Sequence, residues 1–401
     1  MNRCIISLAI AAGALVASPA FADRERSLDV NANEDVVLSF ATVGDSRQDP
    51  TTQDPSSPLT AQDAIWLQST RPFSRILRTI QAQKPNMLFF NGDMIMGYGN
   101  ADQPQDLTLD GILKSDVVKT TKQYAFWRGM VANLMETGTY VVPVPGNHEV
   151  QCSDKVSVTC PKKGKNAVLA NENAWRANMG DLIIDAGRFQ SIVGAPASNF
   201  SAANVPGSAD HVSTDQRQLS FSFDVGDSHF TVINTDPVGY DSHAPVNWIA
   251  GDLAAAKARG ARHFFLFGHK PASTYIYGNP PSAGGAGFDV DPANQSAFID
   301  LLNAYGATYF CGHEHTMNAQ HPVKVSDGSV SPAWQILVGS GGSPFDPKQG
   351  TPGLVPTDRY YGWANVKVLR NGKVQIDMFG FDGNTADYGQ TQLVQRIVLA
   401  H

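Results

Sequence analysis

The sequence predicts an α/β protein. Short strand-like runs recur with helix-period segments between them, and the early runs are apolar almost throughout. Most of these runs stop at a glycine followed at once by Asp, Asn or His. Continuous apolar runs are what strands need when both faces of their sheet are covered.

The elements follow in order. Arg3 precedes an apolar stretch over residues 5–17, too short to span a bilayer, and Ala20-Phe21-Ala22 fits an A-x-A cleavage pattern. Residues 1–22 are therefore read as a signal peptide cleaved after Ala22, which predicts a periplasmic or secreted protein. Residues 23–401 are read as one domain. Strands are expected at 36–43, 87–90, 140–144, 230–234, 263–267, 308–311 and 335–338. Two more, at 365–369 and 373–379, flank the turn Asn371-Gly372 as a hairpin. Helical spacing groups Phe73, Ile76, Leu77 and Ile80, then Trp127, Met130, Val131 and Leu134, then Phe298, Leu301, Leu302 and Tyr305. A further helix around 249–259 closes at Gly260. These apolar stripes are core and carry no chemistry. Residues 151–220, read as an insertion, and residues 340–360 are expected to be long irregular segments of the kind that cover a site.

Composition narrows the function. A net charge of −7 without a long basic run argues against nucleic acid as a partner. No later apolar run is long enough to span a membrane. Cys152 and Cys160 share a polar loop, and export makes a disulfide between them the expected state, whereas Cys311 lies in an apolar strand as a small buried hydrophobe. Lys162, Lys163 and Lys165 read as a solvated loop face, with reception of an anion as the alternative.

The strand tips carry the chemistry. They read VGDSR, FNGDM, PVPGNHE, INTD, LFGHK and FCGHEH. Ligands of open α/β sheets collect beyond the carboxyl ends of the strands, and glycine permits the tight turn and close approach needed there. Imidazole and carboxylate together favour Mn, Zn or Fe over Mg or Ca. Two such ions, roughly 3.5–4 Å apart, can clamp the attacking and leaving oxygens of a phosphoryl displacement.

The ordered set GD, GD, GNHE, GH and GHEH resembles the calcineurin-like metallophosphoesterase superfamily, related to the purple acid phosphatases. The resemblance implies a four-layer α/β/β/α sandwich with two central mixed sheets and a centre of two divalent or trivalent metal ions. It implies that Asp45 ligates the first ion, Asp93 bridges both, Asn147, His269 and His313 complete the second, and His315 returns to the first. It also makes His148 the histidine that contacts the phosphoryl group and can protonate the leaving oxygen. Glu149 and Glu314 are read as supporting residues.

One departure stands out. Where many members place a metal-ligating histidine two residues after the first aspartate, this chain has Arg47. Where purple acid phosphatases place a tyrosine it has Met96, with Tyr98 two residues on. Arginine stays protonated and suits phosphate oxygens rather than a metal, so Arg47 is expected to reach the substrate's phosphoryl group or to pair with a loop carboxylate such as Asp49. The leading reading is an exported hydrolase that cleaves a small-molecule phosphate mono- or diester by attack of metal-bound hydroxide. The alternative is a degenerate relative that binds a phosphate ligand with its first metal site weakened.

Overall fold

A computed structural model describes residues 35–50, 61–276, 287–348, 353–384 and 387–400, with the backbone alone for 61–68. The segment read as a signal peptide lies outside the described residues, as does most of the Gly-rich stretch at 282–288. The chain begins with β1 (Val36–Val43), α1 (Ala61–Gln83), β2 (Met87–Asn91), α2 (Leu109–Lys114), α3 (Asp116–Glu136) and β3 (Tyr140–Val144). A short α4 (Asn147–Val150), the hairpin β4 (Gln151–Ser153) and β5 (Lys165–Ala167), then α5 (Leu169–Met179) and α6 (Ala186–Val193) follow. Next come β6 (Phe221–Val225), β7 (Ser228–Val232), α7 (Val246–Ala258), β8 (His263–Phe267) and α8 (Pro292–Tyr305). The last strands are β9 (Thr308–Cys311), β10 (Met317–Gln320), β11 (Trp334–Val338), β12 (Tyr360–Leu369), β13 (Lys373–Asp382) and β14 (Gln392–Ala400).

Two six-stranded mixed sheets result, in the orders β14-β13-β12-β1-β2-β3 and β10-β11-β9-β8-β7-β6. Three neighbours run parallel in the first, β1-β2-β3, and four in the second, β7-β8-β9-β11. Their carboxyl ends therefore lie together at one rim of each sheet.

Alternation explains the unbroken apolar runs. Phe89 points between the sheets, while Leu88 and Phe90 point to the other face. The inter-sheet cluster joins Phe40 and Phe89 to Phe230, Phe265, Phe267 and Phe310, with Phe89 stacked on Phe267 at 3.7 Å between centroids. Outside the first sheet, Phe90 packs with Phe73 of α1 and Trp127 of α3. Outside the second, Leu266 and Tyr309 share a cluster with Leu253 of α7 and Phe298 of α8. Burying each such side chain is worth about 1.5–3 kcal/mol, which locks the relative height of the two rims.

The segment at 151–220 departs from the irregular reading. It contains the β4–β5 hairpin, α5 and α6. Local signals for α6 were available: the Asp185 side chain accepts the Arg188 N–H at 2.7 Å, and Gly194 ends the helix at φ 79°. The short strands lack periodicity of their own because they pair only with each other. Cys152 and Cys160 form the expected disulfide and Cys311 is free and buried. Among the described residues, no helix is long and apolar enough to cross a membrane.

Candidate metal centre

At the shared rim, three tips of the first sheet meet two of the second. From the first sheet come Asp45 after β1, Asp93 after β2 and Asn147 after β3; from the second come His269 after β8 and His313 and His315 after β9. The backbone bends sharply to deliver them. Asp45, Asp93 and His313 adopt φ of 63°, 51° and 74°, strained values for residues with a side chain. Glycine gives them room: a Cβ on Gly92 would lie 2.5 Å from Nδ1 of His269, and one on Gly312 would lie 2.2 Å from Oδ2 of Asp45.

All six predicted ligands converge. Asn147 Oδ1 lies 2.8 Å from His269 Nε2 and 2.7 Å from His313 Nδ1, and those two nitrogens are 3.1 Å apart. Asp93 Oδ1 is 3.2 Å from His269 Nε2. On the other side, His315 Nε2 is 3.6 Å from Asp45 Oδ1. Ligand atoms of Asp93, His269 and His313 form one compact group, those of Asp45, Asp93 and His315 another, and Asp93 belongs to both.

The donor set fits cations. His269 Nδ1 donates to the Asn91 carbonyl at 2.8 Å, and His315 Nδ1 donates to the Pro344 carbonyl at 2.8 Å. Each bond leaves Nε2 as the ring atom that faces the cluster, with a lone pair there whenever the imidazole is neutral. His315 Nε2 and Asp93 Oδ2 are buried without a hydrogen-bond partner. Lone pairs crowded together in this way repel unless a positive charge sits among them.

The electrostatics reflect that crowding. Burial pushes the Asp45 carboxyl well above its usual range, against the pull of His269. Burial acts the same way on Asp93, yet the charges of His148 and His269 outweigh it and hold that carboxyl well below. Burial opposes protonation of His269, but Asp93 and Asp45 override it and push its pKa up to about 9. His315 is pushed down to about 4, by burial and then by Arg47.

His148 and Arg47 sit beside Asp93. His148 Nδ1 donates to the Met96 carbonyl at 2.5 Å, and its Nε2 accepts from Arg47 Nη2 at 2.6 Å. Arg47 Nε is 3.8 Å from Asp93 Oδ2. The guanidinium thus leans into the rim, against Asp93 and His148.

A supporting layer holds these groups. The Glu149 carboxylate accepts the backbone N–H groups of Asp93, Met94, Ile95 and Gly146, and Glu314 accepts those of Tyr275 and Ile276. Two members escaped the sequence reading. Tyr98 accepts the Asn147 Nδ2–H through its hydroxyl, which aims Oδ1 at the histidines. Asp346 accepts the His315 N–H at 2.8 Å from within the Gly- and Pro-rich segment. A tyrosine displaced from the family position was a partial signal for the first; spacing held none for the second. The INTD tip contributes no candidate ligand: Asp236 pairs with Lys270 at 2.6 Å.

Comparison with known proteins agrees with this fold. No curated protein matches the sequence. Among solved structures, purple acid phosphatase PPD1 from yellow lupin (Lupinus luteus) seeds aligns at TM-score 0.51 and 13% identity, over 90% of this chain and 53% of that one. PhoD aligns at TM-score 0.49 and 15% identity, over 89% of this chain and 71% of its own. This chain spans about half the length of the purple acid phosphatase, and at such identity the likeness bears on fold. Residues 66–317, more than half of the chain, match the calcineurin-like phosphoesterase family, and the chain belongs to that family.

Proposed function

We propose that this protein is an exported, metal-dependent phosphoesterase that hydrolyses a phosphate mono- or diester at a dinuclear centre. The observation that carries the proposal is Asp93, whose carboxylate belongs to two separate groups of ligand atoms. Asp45, Asp93 and His315 would hold one ion. Asp93, Asn147, His269 and His313 would hold the other, and imidazole with carboxylate suits Mn, Zn or Fe better than Mg or Ca. Ions bound there would supply Lewis acidity toward phosphoryl oxygens and lower the pKa of water.

The chain's own groups do the rest. With Nδ1–H tied to the Met96 carbonyl and Nε2 accepting from Arg47, His148 would hand a proton to the leaving oxygen once Arg47 has turned to the phosphoryl oxygens and Nε2 has taken up a proton. Arg47 has several N–H groups in a fixed fork, so it can bind phosphoryl oxygens and orient the ester. Glu149 and Tyr98 keep Asp93 and Asn147 in place. The Cys152–Cys160 disulfide is of the kind that persists in oxidising compartments, which supports export.

Arg47 also favours a second reading. A guanidinium 3.8 Å from Asp93 Oδ2 competes with an ion on the Asp45 side, as expected of a phosphate-binding relative with one weakened site. Metal analysis of the purified protein, alongside assays on p-nitrophenyl phosphate and bis-p-nitrophenyl phosphate, separates the two. Two ions per chain are expected, with hydrolysis that chelation abolishes and added Mn, Zn or Fe restores. One ion with phosphate binding but no turnover would favour the binding protein. Arg47→Met is expected to cost about tenfold or more in kcat/KM, as for loss of a charge-assisted hydrogen bond; unchanged kinetics would discard its role.

A further inference from the structure

Lys165 is exposed, as the sequence reading expects, but it is set apart from the other lysines of its loop by what it stands against. It opens β5 and pairs in register with Ser153, inside the hairpin that the Cys152–Cys160 disulfide closes. The hairpin is stitched to the candidate site through backbone bonds. The Ser153 N–H donates to the Tyr98 carbonyl at 3.0 Å, and the Tyr98 N–H donates to the His148 carbonyl at 3.3 Å. Lys165 Nζ lies 4.4 Å from the centre of the Tyr98 ring, and that ring lies 3.9 Å from the His148 imidazole. A single aromatic side chain thus links the ammonium to the proposed proton donor.

Its surroundings offer the charge the face of the Tyr98 ring and the more distant field of Asp93. Among the described residues, no carboxylate forms an ion pair with Lys165. Burial and then the charge of Arg47 push its pKa down, so an arriving anion would relieve both. Lys270, the other lysine near the rim, is already bound to Asp236 and Ser242. Outward from Lys165 the same loop exposes Lys155, Lys162 and Lys163, which extends the positive field away from the centre. Arg47 leans on the ligands themselves, whereas Lys165 stands one ring further out.

We propose that Lys165 binds a second phosphate of the substrate, so that the favoured substrates are small phosphoesters carrying another phosphate beside the one cleaved. This rests on the phosphoesterase reading above. The role is one of positioning and specificity, because Lys165 does not reach the scissile group.

Glucose 6-phosphate and glucose 1,6-bisphosphate differ by that one group and provide the test. Phosphate release should show a kcat/KM for the bisphosphate about tenfold above that for the monophosphate, the scale of one charge-assisted contact. Lys165→Met should bring the ratio close to one through KM, Lys165→Arg should retain it, and phenyl phosphate should be turned over equally by all three proteins. Calorimetric titration with the bisphosphate provides a readout without turnover, with wild type binding about tenfold tighter than Lys165→Met. Equal ratios and equal affinities in wild type and Lys165→Met would overturn the proposal. An affinity gap without hydrolysis of any ester would instead overturn the phosphoesterase reading and leave the role of Lys165 standing.

Discussion

Among the described residues there are two buried clusters of histidine and aspartate, and they are built on opposite plans. In the first, His229 of β7 places Nδ1 2.5 Å from Asp224 Oδ1 and Nε2 2.9 Å from Asp252 Oδ2. The remaining carboxylate oxygens are filled as well. Asp224 Oδ2 accepts from Asn199 and Arg259, and Asp252 Oδ1 accepts from Ser222 and Asn204. At the rim, by contrast, Asp93 Oδ2 and His315 Nε2 are buried without a hydrogen bond, and three of the candidate ligands sit at positive φ. The same residue types make a brace where every lone pair meets a donor, and a candidate binding site where lone pairs meet one another. His229 braces β6, β7 and α7; the rim residues cost stability that a bound cation would offset.

Exchanging the insults should break this symmetry most clearly. Asp93→Ala is expected to lower kcat/KM by about 10³-fold or more, with loss of bound metal, since it removes the carboxylate common to both groups. Its metal-free thermal midpoint should not fall. Asp252→Ala should do the reverse, destabilising the fold by about 3–5 kcal/mol in denaturant melts because His229 loses a buried partner, while the folded protein keeps its kinetics. A variant at Asp252 that lost activity without losing stability would show the two clusters to be one functional unit.

Smaller effects refine the contrast. Tyr98→Phe removes the hydroxyl that orients Asn147 and should weaken metal affinity or activity by about 10–100-fold, measured by metal titration, with little change in folding. The smallest effect is on pH dependence. Burial alone would lower the pKa of His229, but its bonds to Asp224 and Asp252 prevail and raise it. A raised folded-state value means that the contribution to stability is fully present below the ordinary histidine value of about 6.5 and is lost as pH rises through the folded-state value. Wild-type stability should therefore drop more steeply as pH rises above about 6.5 than that of His229→Gln, read from paired thermal melts. Identical slopes would mean that His229 is not charged in the folded state.

Much of the architecture could be read from the chain. The apolar runs ending in Gly-Asp, Gly-Asn-His and Gly-His mark real strand tips, and the cysteine pair in the polar loop forms the expected disulfide. The early strands were legible because both faces are buried. β14 and the β4–β5 hairpin were not: β14 is half-exposed along much of its length, and the hairpin pairs only with itself. Tyr98 as a partner of Asn147 was hidden because the contact spans 49 residues.

Residue chemistry and the turn-forming glycines are local properties, so the sequence alone determined the α/β class, the tips of the strands and the kind of group each tip presents. Which histidine joins the cluster of candidate ligands and which braces a helix was decided by the tertiary structure. His229 lies within β7 and His269 at a Gly-His tip beyond β8, and what the other sheet or helix places opposite each completes the difference. The same holds for Lys165, which differs from Lys162 and Lys163 only because strand register turns it over the Tyr98 ring. Register and inter-sheet packing are sums over many long-range contacts, and no short stretch of chain contains them.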